Sequence, residues 1–470
     1  MTILAETPQW FARRGGLQAL ESQVVRLHLA HPDPDAQPVL DSLRYVLSFA
    51  RLTVIRAADG QDVYVDDLVA PLAAHVERVV GDRLRTADTL WGVTRILPEL
   101  LRRTREVRAR VCERVDRDSL EEEVTTRVLA VASGGGGGAG YNYPGCYEVI
   151  ERAGLTPDLM AGTSIGSLMS MFRCRRRRWD MAPLVAAARR LSWTGIFKVL
   201  QTENRYGLPA TLRLHLQGAL GSLFRNEEDR PLMLEDLEIP LYIVATGITV
   251  DALKHDLDYY EHLLDSDVRR RGVRGGLRAG LKAVETLREF LGRRDALVEL
   301  VLGRDPGTNR FNVLDAAGFS AAIPAVIHYD VLRDDPAMTA LLDRIYAEHG
   351  ITRLGEGGMV SNVPARICWE SIVSGRLGRR DPLVLALDCF APDRTRLAWY
   401  PFQQAVQVAN VDSDRPYADL YVPLGKTLSP MNLVPPIRDA LTAIRWGRSD
   451  LSPHVPLLVE LARRLPVLSD

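Results

Sequence analysis

Gly162-Thr163-Ser164-Ile165-Gly166 lies between the apolar run Leu159-Met160-Ala161 and the apolar, helix-like segment Leu168-Met169-Ser170-Met171-Phe172. A strand that turns sharply into a helix needs positive φ and little side-chain bulk at the turn, and glycines flanking the turn residue supply both. The segment therefore predicts a strand, a tight turn and a helix, with the Ser164 hydroxyl projecting as in a nucleophile elbow. Short Gly/Ser patterns also arise in loops that do no chemistry, so the pattern takes its meaning from its neighbours.

From Arg127 onward, short β-branched runs alternate with helical patterns: Val128–Val131, Leu159–Ala161, Leu241–Ala245 and Leu383–Leu387. That alternation predicts an α/β fold with a mostly parallel central sheet flanked by helices. Before it, Leu40–Leu52, Leu68–Val80 and Leu90–Val115 carry apolar residues at spacings of three and four, which predicts a helical N-terminal region over 1–125. The Arg102–Arg117 tract within it interleaves Glu106, Glu113 and Asp116 and reads as a solvated helix face. The α/β body is expected over 126–395, with a helical insertion at about 250–310 and an extension over 396–470 packed on the core. In the insertion, Leu277, Leu281, Val284, Leu287 and Leu291 form an apolar stripe beside Arg274, Arg278, Lys282 and Arg288. Such a stripe suits a helix capping the cleft, and a membrane-surface helix is the alternative.

The 59 Lys plus Arg against 60 Asp plus Glu exclude a bulk positive field that would draw the chain to nucleic acid. Five cysteines, at 112, 146, 174, 368 and 389, are odd in number and form no Cys-x-x-Cys pair, as expected of reduced thiols. Met1–Gly16 lacks the basic start and apolar stretch of a secretory signal, and no segment reaches the ~18 apolar residues of a membrane span. The expectation is a cytoplasmic protein, with peripheral membrane contact as an option.

Ser133-Gly134-Gly135-Gly136-Gly137-Gly138-Ala139-Gly140 follows the strand Val128–Ala132 and precedes the helix-like segment Gly145–Ala153. Consecutive glycines there can aim several backbone N–H groups at one anion. In acyl transfer that anion is the oxygen of the tetrahedral intermediate. Gly135-x-Gly137-x-x-Gly140 also fits a dinucleotide fingerprint, but the acidic residue wanted at the end of the next strand is missing, because that strand runs into the Ser164 turn. A Walker-type loop fails for want of Gly-Lys-Ser/Thr. Further on, Leu354-Gly355-Glu356-Gly357-Gly358 sets a carboxylate among glycines, where it can reach into a cleft and take a serine proton directly. A surface Gly-Glu-Gly turn is the alternative reading of that segment.

Together these elements resemble the patatin-like phospholipase family over about Thr126 to Ala391. In chain order the resemblance covers the glycine loop with Gly145 beyond it, the elbow, and the apolar run Ile239–Thr246. It continues through Ser320-Ala321-Ala322-Ile323-Pro324 and closes with Glu356-Gly357-Gly358 followed by Asn362 and Pro364. The resemblance implies a lipid acyl hydrolase acting on phospholipids or neutral lipids without metal or organic cofactor. Ser164 is then the nucleophile, Glu356 its acidic partner in a two-residue dyad, and the amides of Gly135, Gly136, Gly137 and Gly138 the oxyanion hole, with Gly162 and Gly166 shaping the elbow. Two positions depart from the family: its carboxylate is usually aspartate, one methylene shorter than Glu356, and its glycine loop commonly carries Arg or Lys where Ala139 stands. A catalytically weak or inactive member that binds lipid or a partner is the alternative these departures leave open.

A Ser-His-acid triad would draw on His349 or His454 by chain order, with His328 expected nearest the cleft, and Asp330 or Asp388 could replace Glu356 as base. The dyad is preferred, since neither His349 nor His454 has a glycine-rich, strand-end context. Arg175, Arg176 and Arg177, following the nucleophile helix, are candidates for holding a phosphate head group, although cations at a helix C-terminus also complement its dipole.

Overall fold

In a computed structural model, which describes residues 7–199, 205–208, 210–249, 296–392, 403 and 411–469, the apolar runs become strands of one seven-stranded sheet. The N-terminal helices are α1 (Thr7–Ala30), α2 (Gln37–Phe49), α3 (Asp66–Leu84), α4 (Leu97–Val111) and α5 (Arg117–Thr125). The sheet comprises β1 (Val128–Ser133), β2 (Leu159–Thr163), β3 (Leu241–Thr249), β4 (Leu297–Leu302), β5 (Ile351–Gly355), β6 (Pro382–Asp388) and β7 (Leu420–Pro423). Around it lie α6 (Tyr143–Arg152), α7 (Ile165–Cys174), α8 (Val313–Ser320), α9 (Ala365–Val373), α10 (Ile437–Leu451) and α11 (Val455–Ala462).

Strands β3, β2, β1, β6 and β7 run parallel in that order. Every residue of β1, β2 and β6 is buried, as a parallel sheet covered on both faces requires. Alternate residues of β1 serve opposite faces. Leu129 and Val131 join the cluster that holds Tyr147 of α6 and Met171 of α7, whereas Val128, Ala130 and Ala132 pack with Trp369 and Ile372 of α9.

The register of β3 decides where the site forms. Its first half pairs with β2 in parallel, Met160 opposite Leu241 through Thr163 opposite Val244. Its second half pairs with β5 antiparallel, Gly355 opposite Thr246. Strand β4 takes the other edge, since Val244 and Thr246 also pair with Val301 and Glu299. Strands β2 and β5 thus share one edge of β3 and point their C-terminal ends at each other across Ala245. The residues that follow them are Ser164 and Glu356.

Residues 296–310 correct part of the helical insertion expected at about 250–310. Leu297–Leu302 is a strand and Thr308–Arg310 a single 3-10 turn, because the apolar run completes the free edge of β3 with a full antiparallel ladder. Residues 250–295, including the Leu277–Leu291 stripe, lie outside the described residues. The C-terminal residues also enter the sheet itself, through β7.

Buried charges join the N-terminal helices to the opposite, N-terminal ends of the strands. Glu21 of α1 accepts Arg44 Nε at 2.9 Å and an Arg51 amino group at 2.7 Å, and Arg51 reaches Asp381 at 2.7 Å. Arg127, just before β1, pairs with Asp419 at 2.6 Å and lies 3.8 Å from Glu21. Arg44 also donates to the Leu461 carbonyl of α11 at 3.0 Å. Burial alone would raise the pKa of Glu21, but Arg51, Arg127 and Arg44 outweigh it and hold the carboxyl at about 2. Among the described residues no helix is long and apolar enough to cross a membrane.

Candidate active site

Ser164 stands between β2 and α7 at φ 54°, ψ −125°, a conformation that costs a non-glycine residue about 1–3 kcal/mol and persists only where its surroundings enforce it. The surroundings do so here. A Cβ on Gly166 would lie 2.0 Å from the Ser133 carbonyl oxygen, and one on Gly162 would lie 2.6 Å from Ser167 Cα. Both positions must be glycine for α7 to press this closely against β1 and β2. The Ser164 N–H donates to Ser320 Oγ of α8 at 2.9 Å, and its carbonyl accepts the Ser167 hydroxyl at 2.6 Å.

Glu356 meets Ser164 head-on from the end of β5. The Ser164 side chain and the Gly358 backbone amide both bear on its carboxyl group and favour its charged form. The missing side chain of Gly135 leaves room for this meeting: a Cβ there would lie 3.2 Å from Ser164 Cβ and 3.6 Å from Glu356 Oε1. The glutamate backbone is fixed by the Thr246 hydroxyl, which donates to its carbonyl at 2.7 Å, and by its own N–H donating to Ala322 O at 3.0 Å. Oε2 is buried without a hydrogen-bond partner among the described residues. Burial pushes the carboxyl from 4.5 up to about 8, against the smaller opposing pull of the Ser164 and Gly358 hydrogen bonds. Glu356 is 8% and Ser164 4% exposed, so the pair is shielded from bulk water.

Two of the four amides expected as oxyanion donors are engaged by other acceptors. Gly135 N–H donates to the Asn362 carbonyl at 3.0 Å and Gly138 N–H to the Pro430 carbonyl at 2.8 Å, so both amides are engaged. The amides of Gly136 and Gly137 have no acceptor among the described residues, and both glycines are only half-buried. Gly137 holds φ 55°. Half-buried backbone donors left open on the two residues after Gly135, which packs against Ser164, suit an oxyanion.

The other candidates are engaged by other partners. His328 Nδ1 is 2.8 Å from the Leu208 carbonyl and Nε2 3.7 Å from Asp330, whose carboxylate accepts the N–H groups of Arg205 and Tyr206 at 2.6 and 3.0 Å. Both belong to the packing of a small separate sheet formed by Phe197–Val199, Ala210–Leu214 and Ala325–His328. Asp388 accepts the Phe390 N–H at 2.7 Å and the Tyr421 hydroxyl. His349 ends the helix Pro336–His349, and His454 sits in the turn before α11. Arg175, Arg176 and Arg177 follow the far end of α7, ten residues from the elbow, or ~15 Å at 1.5 Å per residue. There Arg175 stacks over Phe224 at 5.3 Å and Arg176 pairs with Glu238 at 2.7 Å.

Three supports carried no recognisable signal of their own in the sequence. Ser320 holds the elbow amide. Thr163 donates to the Ser361 carbonyl at 2.9 Å, and the Ser361 hydroxyl bonds Asp414 at 2.5 Å. Tyr143 donates to the Gly134 carbonyl at 2.8 Å from beneath the loop. Ser320 was visible only as part of a motif, and Asp414 is brought in from far along the chain. Among the described residues no group of three or more His, Cys, Asp or Glu is placed to hold a metal ion.

A model of the patatin-like phospholipase family matches residues 131–369, a span that includes the glycine loop, the elbow and Glu356. Human patatin-like phospholipase domain-containing protein 6 is 30% identical over 145 residues, covering 30% of this chain and 10% of that protein. Mouse patatin-like phospholipase domain-containing protein 7 is 27% identical over 170 residues, covering 35% of this chain and 12% of that protein. The chain thus spans about a tenth of the length of the curated relatives it matches.

Proposed function

The chain belongs to the patatin-like phospholipase family, and from that premise we propose that it is a serine hydrolase of lipid carboxylic esters working through a Ser164–Glu356 dyad. The observation that carries this reading is the convergence of the Ser164 and Glu356 side chains on Gly135, where β2 and β5 meet. Ser164 Oγ attacks the ester carbonyl carbon while its proton passes to Glu356, which acts as general base. The resulting oxyanion accepts hydrogen bonds from the Gly136 and Gly137 amides. Collapse of the intermediate breaks the ester C–O bond, and Glu356 returns the proton to the departing alcohol. Water then attacks the acyl-Ser164 carbonyl, again giving its proton to Glu356, and the second collapse releases the fatty acid and restores the serine.

The extra methylene of glutamate lengthens the reach to Ser164, and the glycines at 135 and 358 leave the space that the longer arm occupies. A Cβ on Gly357 would lie 2.2 Å from the Val244 carbonyl oxygen, so the chain can hug β3 as it delivers the carboxylate. The enzyme is proposed to act from the cytoplasm, with peripheral contact at a membrane surface. A fluorophosphonate serine probe tests the nucleophile: labelling is expected in the intact protein and absent in Ser164→Ala. Labelling that persists unchanged in that variant would remove Ser164 from the mechanism.

A further inference from the structure

The family match ends at residue 369, yet the glycine loop is gripped by a segment well beyond it. Gly138 N–H donates to Pro430 O at 2.8 Å, the Tyr141 hydroxyl to Leu433 O at 3.0 Å, and the Asn142 amide to Lys426 O at 2.5 Å. A Cβ on Gly137 would lie 2.4 Å from Pro430 O, and one on Gly138 would lie 2.4 Å from both Ser429 O and Asn432 O. The grip continues into α6 and α10. A Cβ on Gly145 would lie 2.0 Å from Ile444 O, and one on Gly447 would lie 2.0 Å from Asn142 O. Cys146 Sγ also donates to the Gly447 carbonyl at 3.4 Å. The close approaches at Gly137, Gly138, Gly145 and Gly447 are of backbone on backbone, with glycine required on both sides where α6 meets α10.

Five consecutive glycines have little conformational preference of their own, so the direction of their amides must be imposed from outside. At one end it is imposed by β6 and the Glu356 loop, through Gly134 N–H to Leu387 O and Gly135 N–H to Asn362 O, each 3.0 Å. At the other end it is imposed by residues 426–447. Between these two jaws the Gly136 and Gly137 amides have no acceptor among the described residues. We infer that the Lys426–Gly447 segment is a positioning element of the active site, which aims the Gly136 and Gly137 amides at the oxyanion, so that the matched family region, which contributes Asn362 but neither Leu387 nor residues 426–447, does not hold the clamp by itself. The inference rests on reading those two amides as the oxyanion hole. A displacement of ~1 Å at such a site costs on the order of a hundredfold in rate, which sets the scale of the expected effects.

The test uses the full chain with Tyr141→Phe, Asn142→Ala and Gly447→Ala, and Gly218→Ala as control, since a Cβ at 218 meets nothing within 4 Å. For each, kcat and KM are measured on a short-chain ester, with the affinity for a trifluoromethyl ketone whose serine adduct carries an oxyanion. The expected result is kcat lower by about tenfold in Tyr141→Phe and about a hundredfold in Gly447→Ala. KM should stay within about twofold and ketone affinity should fall in step with kcat. The control should match the unaltered protein. Variants that fold normally with kcat and ketone affinity unchanged would overturn the inference, and if Gly447→Ala does not fold, Tyr141→Phe decides, since it deletes one hydrogen bond and adds no atom. Should the unaltered protein bind the ketone no better than the corresponding alcohol, which forms no adduct, it is the oxyanion-hole reading that fails.

Discussion

Glu21 and Glu356 are both buried glutamates at opposite ends of the same sheet, and their carboxyl groups are shifted in opposite directions. Glu21, beneath the N-terminal strand ends, has three arginines about it and is held at about 2. Glu356, at the C-terminal ends, has a serine hydroxyl and a backbone amide for partners, and burial drives it up to about 8. Matching every charge with a cation makes a joint between segments. Leaving a carboxyl with one exchangeable proton donor makes a base whose affinity for protons is near neutral. Open α/β sheets place functional groups at the C-terminal ends of their strands, and here the unpartnered Glu356 Oε2, the strained serine and the open amides of Gly136 and Gly137 gather at that end.

Substitutions that exchange the roles of the two ends would break this comparison. The largest effect is expected from Glu356→Gln, which removes the proposed base: kcat should fall on the order of 10²–10⁴-fold, with melting at pH 7 unchanged or raised. Full activity in that variant would exclude Glu356 from proton transfer. Gly166→Ala should come next, since its Cβ would press on the Ser133 carbonyl at 2.0 Å; probe labelling of Ser164 should slow on the order of a hundredfold. At the other end, Glu21→Gln leaves buried arginines uncompensated and should destabilise the fold by about 3–5 kcal/mol, read by denaturant titration, while kcat of the folded protein is retained. The smallest change is Ser320→Ala, which orphans the elbow amide and should cost about 1–3 kcal/mol of stability with a modest loss of kcat.

The two carboxyls also predict opposite pH dependences of stability. The folded pKa of Glu356 exceeds its ordinary 4.5, so its contribution is complete below about 4.5 and is lost as pH rises through about 8. The folded pKa of Glu21 lies below 4.5, so its contribution is complete above about 4.5 and is lost as pH falls through about 2. Unfolding curves of Glu356→Gln should therefore decline less than those of the unaltered protein between pH 5 and 8. An identical decline in both would contradict the shift assigned to Glu356.

Features written in contiguous residues were legible in the sequence. The elbow shows in its flanking glycines and apolar neighbours, the sheet in its β-branched runs, and the Glu356 turn in a carboxylate set among glycines, which a surface turn would also explain. Features made by distant pairing were not. The amides of Gly135 and Gly138 are engaged by Asn362 and Pro430, partners that no local pattern announces. Strand β4 reads as part of a polar insertion until β3 offers it an edge. The arginines at 175–177 follow the nucleophile in sequence, but a ten-residue helix carries them away from it. The joint at Glu21 is invisible locally, because Arg51, Arg127 and Asp381 converge on one point only when the sheet has formed.

The central claim is that Glu356 takes the Ser164 proton without a histidine, and the pH dependence of fluorophosphonate labelling measures that step on the serine itself. In the unaltered protein the rate should climb as pH rises through about 8, the pKa assigned to Glu356, and then level off; in Glu356→Gln it should be slow and lack that inflection. An inflection that survives in Glu356→Gln with the same midpoint and amplitude would contradict the account.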